Sequence, residues 1–148
     1  MNGRTIWPLI LFNDYIYFNR REMIQQVILV NEKDESYGTA EKIEAHEKGL
    51  LHRAFSVFIF NSKGEMLLQQ RALSKYHSGG LWTNACCSHP APGRELKDEA
   101  QKRLMEEMGF ETPLQEVFEF VYRAEFENGL TEHEYDHVLV GEYEGPVH

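Results

Sequence analysis

The sequence predicts one α+β domain, a mixed β-sheet with one principal helix packed on it. Three observations support this fold class. The 148 residues can bury a sizeable core, the strand-like segments lie on both sides of a single long amphipathic helix, and those segments alternate apolar and polar residues. A composition of 42% hydrophobic and 26% charged residues is typical of a soluble globular protein.

The N-terminal region differs from the rest of the chain. Residues 1–26 are rich in aromatic side chains and irregular in pattern, and they contain no residue that suggests chemistry. They could add a strand or hairpin over the core, or form a poorly ordered extension. We therefore expect an extension of unknown role at 1–26 and a domain at 27–148.

The first elements of the domain are short. The β-branched run VILV at 27–30 predicts a strand closed by a polar turn at 31–38. Residues 40–49 predict a short helix that Gly49 stops. A hairpin follows, with strands at 54–60 and 65–70 joined by a turn at 61–64.

The second half supplies the principal helix and the remaining strands. A strand is expected at 81–87, and a helix at 95–108 whose Leu96, Ala100 and Leu104 form one buried stripe capped by Gly109. Alternation at 116–126 and 134–142, around an Asn-Gly turn, predicts two half-buried antiparallel strands.

Charge and cysteine usage restrict the function classes. A net charge of −9 argues against nucleic acid or an anionic membrane as partner, so an anionic substrate would need a local basic cluster or a metal ion. The two cysteines are sequence neighbours, which rarely pair and which suit a reducing compartment. No apolar run is long enough to span a bilayer, so we predict a cytoplasmic protein.

Five residues form a candidate transition-metal site. His46 and His52 flank a glycine turn and converge only if the chain bends there. Glu132 and Glu134 are two apart at a strand start and point to one side, as His89 does with Cys87. Three imidazoles and two carboxylates suit a divalent transition metal.

Each of these residues also has an ordinary structural interpretation. A single histidine is more often a surface or core residue than a ligand, and we assign that interpretation to His77, His133, His137 and His148. A lone Cys87 would most often be a small buried hydrophobe, and Cys86 should face the opposite way.

Basic residues are scarce on the central elements. They are Lys42, Arg71, Lys75 and Arg103. Together with a Mg²⁺ ion held by Glu107, they would suit a diphosphate, whose charge needs both metal and guanidinium partners. Ordinary surface charge is the alternative for each of them alone.

The combination of motifs resembles the type 1 isopentenyl-diphosphate isomerases, a branch of the Nudix superfamily. The resemblance covers about Val27 to Tyr143 and is carried by EKIEAHEKGLLHRAFSVFIFN, QRALSK, LWTNACCSHP, EEMGF and YRAEFENGLTEHE. It implies a Nudix-like fold and an enzyme that shifts the double bond of isopentenyl diphosphate to give dimethylallyl diphosphate. It also implies that the chain is short at its C-terminus, because family members continue further and close the pocket there.

The resemblance assigns a role to each candidate. It implies Cys87 and Glu134 as the acid-base residues, Tyr122 as a hydroxyl partner, and a metal site of His46, His52, His89, Glu132 and Glu134. It places Mg²⁺ on Glu107 and the backbone carbonyl of Cys87, and the substrate diphosphate on Lys42, Arg71, Lys75 and Arg103. The second metal would be Mn²⁺ or Zn²⁺. Oligomeric state stays open.

One departure separates this chain from Nudix hydrolases. Their helix carries a glutamate where this chain has Arg103, and Ser88 and Arg94 replace a further Gly and Glu. Exchanging a carboxylate for a guanidinium favours holding a diphosphate over cleaving it. A Nudix-type diphosphate hydrolase, with Glu99 as the nearest extra carboxylate, and a catalytically weak metal-binding module remain the alternatives.

Overall fold

The computed structural model describes residues 25–74 and 79–147. Its elements, in chain order, are β1 (Gln26–Val30), β2 (Ser36–Glu41), α1 (Lys42–Lys48), β3 (His52–Phe60), β4 (Gln69–Gln70), β5 (Trp82–Thr83), β6 (Cys86–Ser88), α2 (Leu96–Met108), β7 (Gln115–Glu125) and β8 (Thr131–Glu142).

The main sheet is mixed. Its order is β2-β1-β3-β8-β7, and β3 and β8 run parallel from the pair His52 and Glu134 to the pair Phe60 and Glu142. The other pairings are antiparallel, including β6 with β3 at residues 55–57. The predicted α+β class with a mixed sheet and one principal helix is confirmed.

The main core lies between α2 and one face of the sheet. Ala100 and Leu104, one turn apart on α2, are fully buried against Phe55, Val57 and other apolar side chains of the sheet. Because side chains alternate along a strand, the even-numbered residues of β3, including His52 and Ser56, face the side of the sheet opposite to Phe55 and Val57. The core therefore fixes which face of the sheet carries the polar site.

The predicted hairpin is only half correct. The turn after β3 forms, and Phe60 bridges Met66, but no strand continues to residue 70 beside β3. The edge of β3 at residues 55–57 is instead paired with β6. The chain therefore leaves β3 after Leu67, whose amide still donates to the carbonyl of Ile59, and β4 pairs with β5 in a separate two-stranded sheet.

Two other predicted boundaries are wrong. The polar segment expected to be turn contains β2, an exposed edge strand that pairs with β1 and leads directly into α1, which begins at Lys42 and not at residue 40. The strand expected at 81–87 is two strands, β5 and β6, in different sheets. Residues 1–24 of the expected extension lie outside the described part of the chain.

No helix in the described ranges 25–74 and 79–147 is long and apolar enough to cross a membrane.

Candidate metal centre and active site

Four buried side chains from four parts of the fold converge at one end of the sheet. The ligand atoms of His46, His52, His89 and Glu134 all lie within 4.8 Å of one another. His46 comes from α1, His52 and Glu134 from neighbouring ends of β3 and β8, and His89 from the residue after β6. Sequence analysis placed all four in one site.

The turn at Gly49 makes this convergence possible. The glycine ends α1 with a φ of 64°, in the left-handed region that residues with a side chain rarely adopt. The chain therefore reverses from the helix into β3, and the rings of His46 and His52 come to a centroid distance of 5.0 Å. This is the bend that the sequence required if the two histidines were to meet.

Backbone carbonyls orient two of the rings. Nδ1 of His46 donates to the carbonyl of Lys42 at 2.7 Å, and Nδ1 of His52 donates to the carbonyl of Leu50 at 2.8 Å. A neutral imidazole that donates through Nδ1 keeps its lone pair on Nε2. This fixing of the ring by a second partner is the usual arrangement around metal-ligating histidines.

The separations within the cluster fit a shared cation. Nε2 of His89 lies 3.1 Å from Nε2 of His52 and 3.1 Å from Oε1 of Glu134. Two imidazole nitrogens that each lie about 2.1 Å from one ion are about 3.0–3.4 Å apart at ordinary coordination angles. Converging lone pairs at this spacing repel one another, so the donor set is suited to a divalent metal.

Burial favours the neutral form of His46 and His89, which ligation requires. It lowers the pKa of His89 to about 4 and also lowers the pKa of His46. Burial alone would raise the pKa of the Glu134 carboxyl, but the neighbouring imidazoles of His52 and His89 outweigh it and hold that pKa below its usual range. The site therefore offers neutral nitrogens and an ionised carboxylate at neutral pH.

Tyr122 joins the two predicted carboxylates. Its hydroxyl faces Oε2 of Glu134 at 2.8 Å and Oε2 of Glu132 at 3.0 Å. Burial, together with the two negative charges, raises the pKa of Tyr122 far above its usual value, so the phenol keeps its proton. Glu132 meets the site through Tyr122 and does not belong to the four-residue cluster of ligand atoms.

Cys87 lies beside this cluster with its sulfur held by polar neighbours. The thiol donates to Oδ1 of Asn84 at 3.2 Å, and Oγ of Ser56 lies 3.5 Å from the sulfur. Although one side of Cys87 is exposed, the surrounding protein desolvates the thiol and raises its pKa. Cys86 is fully buried in the core, as predicted.

One cavity of about 1090 Å³ connects the predicted acid-base and phosphate-binding residues. Its lining includes Cys87, Tyr122 and Glu134. It also includes three of the four predicted basic residues, Lys42, Arg71 and Arg103, and the predicted magnesium ligand Glu107. Lys75 lies outside the described residues.

Glu107 has two partners in the cavity wall. Nε of Arg103 donates to its Oε1 at 3.0 Å, and Nε2 of Gln69 donates to its Oε2 at 3.1 Å. Arg103, at the position where the sequence comparison with Nudix hydrolases expects a glutamate, thus contacts the carboxylate of Glu107 on the same helix. The positive charge of Arg103 makes this part of the helix less negative than it would be with several carboxylates.

One wall of the cavity is lined by aromatic side chains, and the sequence did not predict this wall. Phe118, Phe120 and Tyr122 are successive same-side residues of β7, with neighbouring ring centroids 5.9 and 5.7 Å apart, and all three line the cavity. Their i, i+2 spacing in VFEFVY was the available signal. The resemblance implied only Tyr122 as a residue of the pocket, and Phe118 and Phe120 were predicted only as part of a strand.

Asp136 and His137 were also missed. Asp136 is buried in the cavity wall, where it accepts a hydrogen bond from Ser56, and burial raises its pKa to about 6. His137, on the opposite face, is buried with Nε2 at 2.9 Å from Asp34 and Nδ1 at 2.5 Å from Glu116. The sequence predicts His137 as an ordinary surface or core residue, and no spacing in the sequence links it to Asp34.

The fold and this site together define a class of protein. The NUDIX domain model matches residues 50–148. Two solved structures share the fold at low identity. A Deinococcus radiodurans protein matches with a TM-score of 0.66 and 18% identity, covering 83% of this chain and 75% of its own. The MutT protein of Methanosarcina mazei matches with a TM-score of 0.56 and 19% identity, covering 66% and 68%.

Sequence relatives narrow the class further. The isopentenyl-diphosphate Delta-isomerase of Burkholderia multivorans is 56% identical over 84% of this chain and 71% of its own length. The isopentenyl-diphosphate Delta-isomerase 2 of Aromatoleum aromaticum is 54% identical over 83% of this chain and 65% of its own length. The chain belongs to the isopentenyl-diphosphate Delta-isomerase family of NUDIX-domain proteins.

Proposed function

We propose that this chain converts isopentenyl diphosphate to dimethylallyl diphosphate. The observation that carries the proposal is the shared cavity, which places a thiol, a buried carboxylate beside a phenol, and three basic side chains around one space. The names of the relatives describe the same reaction. The expected catalytic domain is 27–148, with 1–26 as an extension.

The reaction needs an acid and a base across one double bond. An unactivated alkene is a weak base, so a positioned acid must protonate its terminal carbon and leave a tertiary carbocation. Loss of a proton from the neighbouring carbon on the diphosphate side then completes the shift, with no net gain or loss of atoms. We assign these two positions to Cys87 and Glu134.

Tyr122 supports Glu134 in this role. Its hydroxyl oxygen lies 2.8 Å from Oε2 of Glu134, and the raised pKa keeps the phenol protonated, so it can relay a proton only by accepting one as it gives one to Glu134. Phe118 and Phe120, beside Tyr122, supply a wall of aromatic faces toward the hydrocarbon and its cation.

Two metal ions complete the proposed site. His46, His52, His89 and Glu134, with Glu132 as a fifth candidate, would hold a transition metal, Mn²⁺ or Zn²⁺. Such an ion would supply positive charge that fixes and polarises the Glu134 carboxylate. Glu107 and the backbone carbonyl of Cys87 would hold Mg²⁺ against the diphosphate.

The substrate diphosphate would lie among the basic residues. Lys42, Arg71 and Arg103 line the cavity, and Lys75 follows Arg71 closely in sequence. A guanidinium can bind a phosphate through two parallel hydrogen bonds, which fixes its orientation as well as its charge. We propose that these four residues hold the substrate with its alkene toward Cys87.

The test is a product assay. The chain is incubated with isopentenyl diphosphate, Mg²⁺ and Mn²⁺ in D₂O, and products are followed by proton NMR. Dimethylallyl diphosphate carrying deuterium is expected, and its absence would contradict the proposal. Inorganic phosphate or isopentenyl monophosphate as product would instead support a Nudix-type hydrolase.

A further inference from the structure

Ser56 lies directly opposite Cys87 in the sheet. The two are register partners between β3 and β6, and Oγ of Ser56 is 3.5 Å from the Cys87 sulfur. Both side chains line the cavity. A hydroxyl here could either donate a hydrogen bond to the sulfur or accept one from it.

Asp136 decides between these possibilities. Oγ of Ser56 donates to Oδ2 of Asp136 at 2.7 Å, a short distance for a hydroxyl hydrogen bond. A hydroxyl has one hydrogen, so this bond leaves only lone pairs facing the sulfur. Asp136 is itself buried on β8, 4% exposed, and this fixes the direction of the contact.

Asn84 holds the sulfur from a second direction. Its Nδ2 donates to the carbonyls of Val57 and Cys86 at 2.9 and 3.0 Å. These two bonds fix the amide so that Oδ1 faces Cys87, where it accepts from the thiol at 3.2 Å. The single thiol hydrogen is therefore donated to Asn84, and Ser56 contacts the sulfur from β3 with a fixed hydroxyl oxygen.

We propose that Ser56, oriented by Asp136, is a positioning residue that aims the Cys87 sulfur into the cavity. The inference rests on the proposed isomerase function, because it concerns how the thiol meets the alkene. A side chain on a three-residue strand has several rotamers open to it, and only one directs its sulfur at a given carbon. Two fixed oxygens, one that accepts the thiol hydrogen and one in contact with the sulfur, select that rotamer before substrate binds.

Steady-state kinetics separate positioning from binding. Ser56→Ala is expected to lower kcat about ten- to a hundredfold while KM changes less than about threefold. Ser56→Thr keeps the hydroxyl on a β-strand and is expected to restore most of the loss. Ser62→Ala, an exposed serine in the turn after β3, is the matched control and should behave as the wild type. A kcat for Ser56→Ala within about twofold of the wild type would overturn the inference.

Crystal structures of the wild type and of Ser56→Ala test the inference without measuring turnover. In the wild-type chain the Cys87 sulfur should occupy one rotamer between Ser56 and Asn84, and in Ser56→Ala it should occupy a second rotamer as well. A single unchanged rotamer in both would overturn the inference. If the wild type forms no dimethylallyl product, the proposed function fails, while the rotamer comparison still decides the role of Ser56.

Discussion

His52 and Glu134 are register partners across the parallel strands β3 and β8, and His52 Nε2 lies 3.7 Å from Glu134 Oε1. This pairing brings a nitrogen and a carboxylate together by backbone hydrogen bonding alone. His46 and His89 then add their rings from a helix and from the end of an edge strand. The four-residue cluster is therefore built into the order of the strands.

Replacing Cys87 should abolish isomerisation without disturbing the metal cluster. General acid-base groups contribute about 10²–10⁴-fold to a rate, so Cys87→Ala should lower kcat by at least about a hundredfold. The bound transition metal should be unchanged. Cys86→Ala removes the neighbouring thiol but not the proposed acid-base group. The folded fraction of this variant should therefore retain turnover. Equal activity in Cys87→Ala and the wild type would contradict the assignment.

Tyr122→Phe tests the phenol bridge. The substitution removes the hydroxyl that faces both Glu132 and Glu134, so the two carboxylates lose a shared donor. Kcat should fall about ten- to a hundredfold, with substrate KM little changed. Phe120→Leu, on the same wall but without a hydroxyl to lose, is the comparison. An active Tyr122→Phe enzyme would show that no proton passes through the phenol.

Arg103→Ala tests the predicted phosphate contacts. Removing the guanidinium should weaken binding of inorganic pyrophosphate with Mg²⁺ by at least about tenfold, since charge-assisted hydrogen bonds contribute about 1.5–3 kcal/mol. Calorimetric titration measures the affinity. Lys102→Ala makes the same charge change on the neighbouring residue, an exposed lysine near Glu106, and should have little effect. Equal losses in both variants would indicate a nonspecific charge effect.

Asp136 should make stability depend on pH in a defined direction. Its pKa is raised from 3.8 to about 6 in the folded protein, mainly by burial, so ionisation is less favourable there than in the unfolded chain. The stability present below pH about 4 is therefore lost as pH rises through about 6. Asp136→Asn cannot ionise and escapes this loss.

Urea unfolding of metal-free protein measures this effect. From pH 4.5 to pH 8, the unfolding free energy of Asp136→Asn should rise relative to the wild type by about 2 kcal/mol, most of the effect of a shift of about two pKa units. Asp98→Asn, on the first turn of α2, serves as control. A pH-independent difference between Asp136→Asn and the wild type would show that the carboxyl does not titrate in this range.

The fold class was predictable because local pattern and tertiary structure agree for the long elements. The stripe Leu96, Ala100 and Leu104 in α2 and the alternation in β7 and β8 identify their elements without help from the rest of the chain. The prediction that both strands are half-buried was wrong, because β8 lies inside the sheet and is mostly buried while β7 is an edge strand and mostly exposed. The length of β4 was not predictable, because it depends on β6 occupying the edge of β3. That competition is between segments far apart in sequence.

The site was predictable where short spacing or a turn fixes geometry. Gly49 between His46 and His52, and the two-residue spacing of Glu132 and Glu134, determine local direction. The Ser56 and Asp136 contact joins residues 80 positions apart, so only the parallel pairing of β3 and β8 brings them together. The same holds for His137 with Asp34.

The central claim is that His46, His52, His89 and Glu134 form one metal site. Its most direct test is elemental analysis of the purified chain and of His89→Ala, with His133→Ala, a histidine bonded to the carbonyl of Gly49, as the control. We predict about one transition-metal ion per chain in the wild type and in His133→Ala, and almost none in His89→Ala. Equal metal content in all three proteins, or no transition metal in a wild-type chain purified with Mn²⁺ or Zn²⁺, would contradict it.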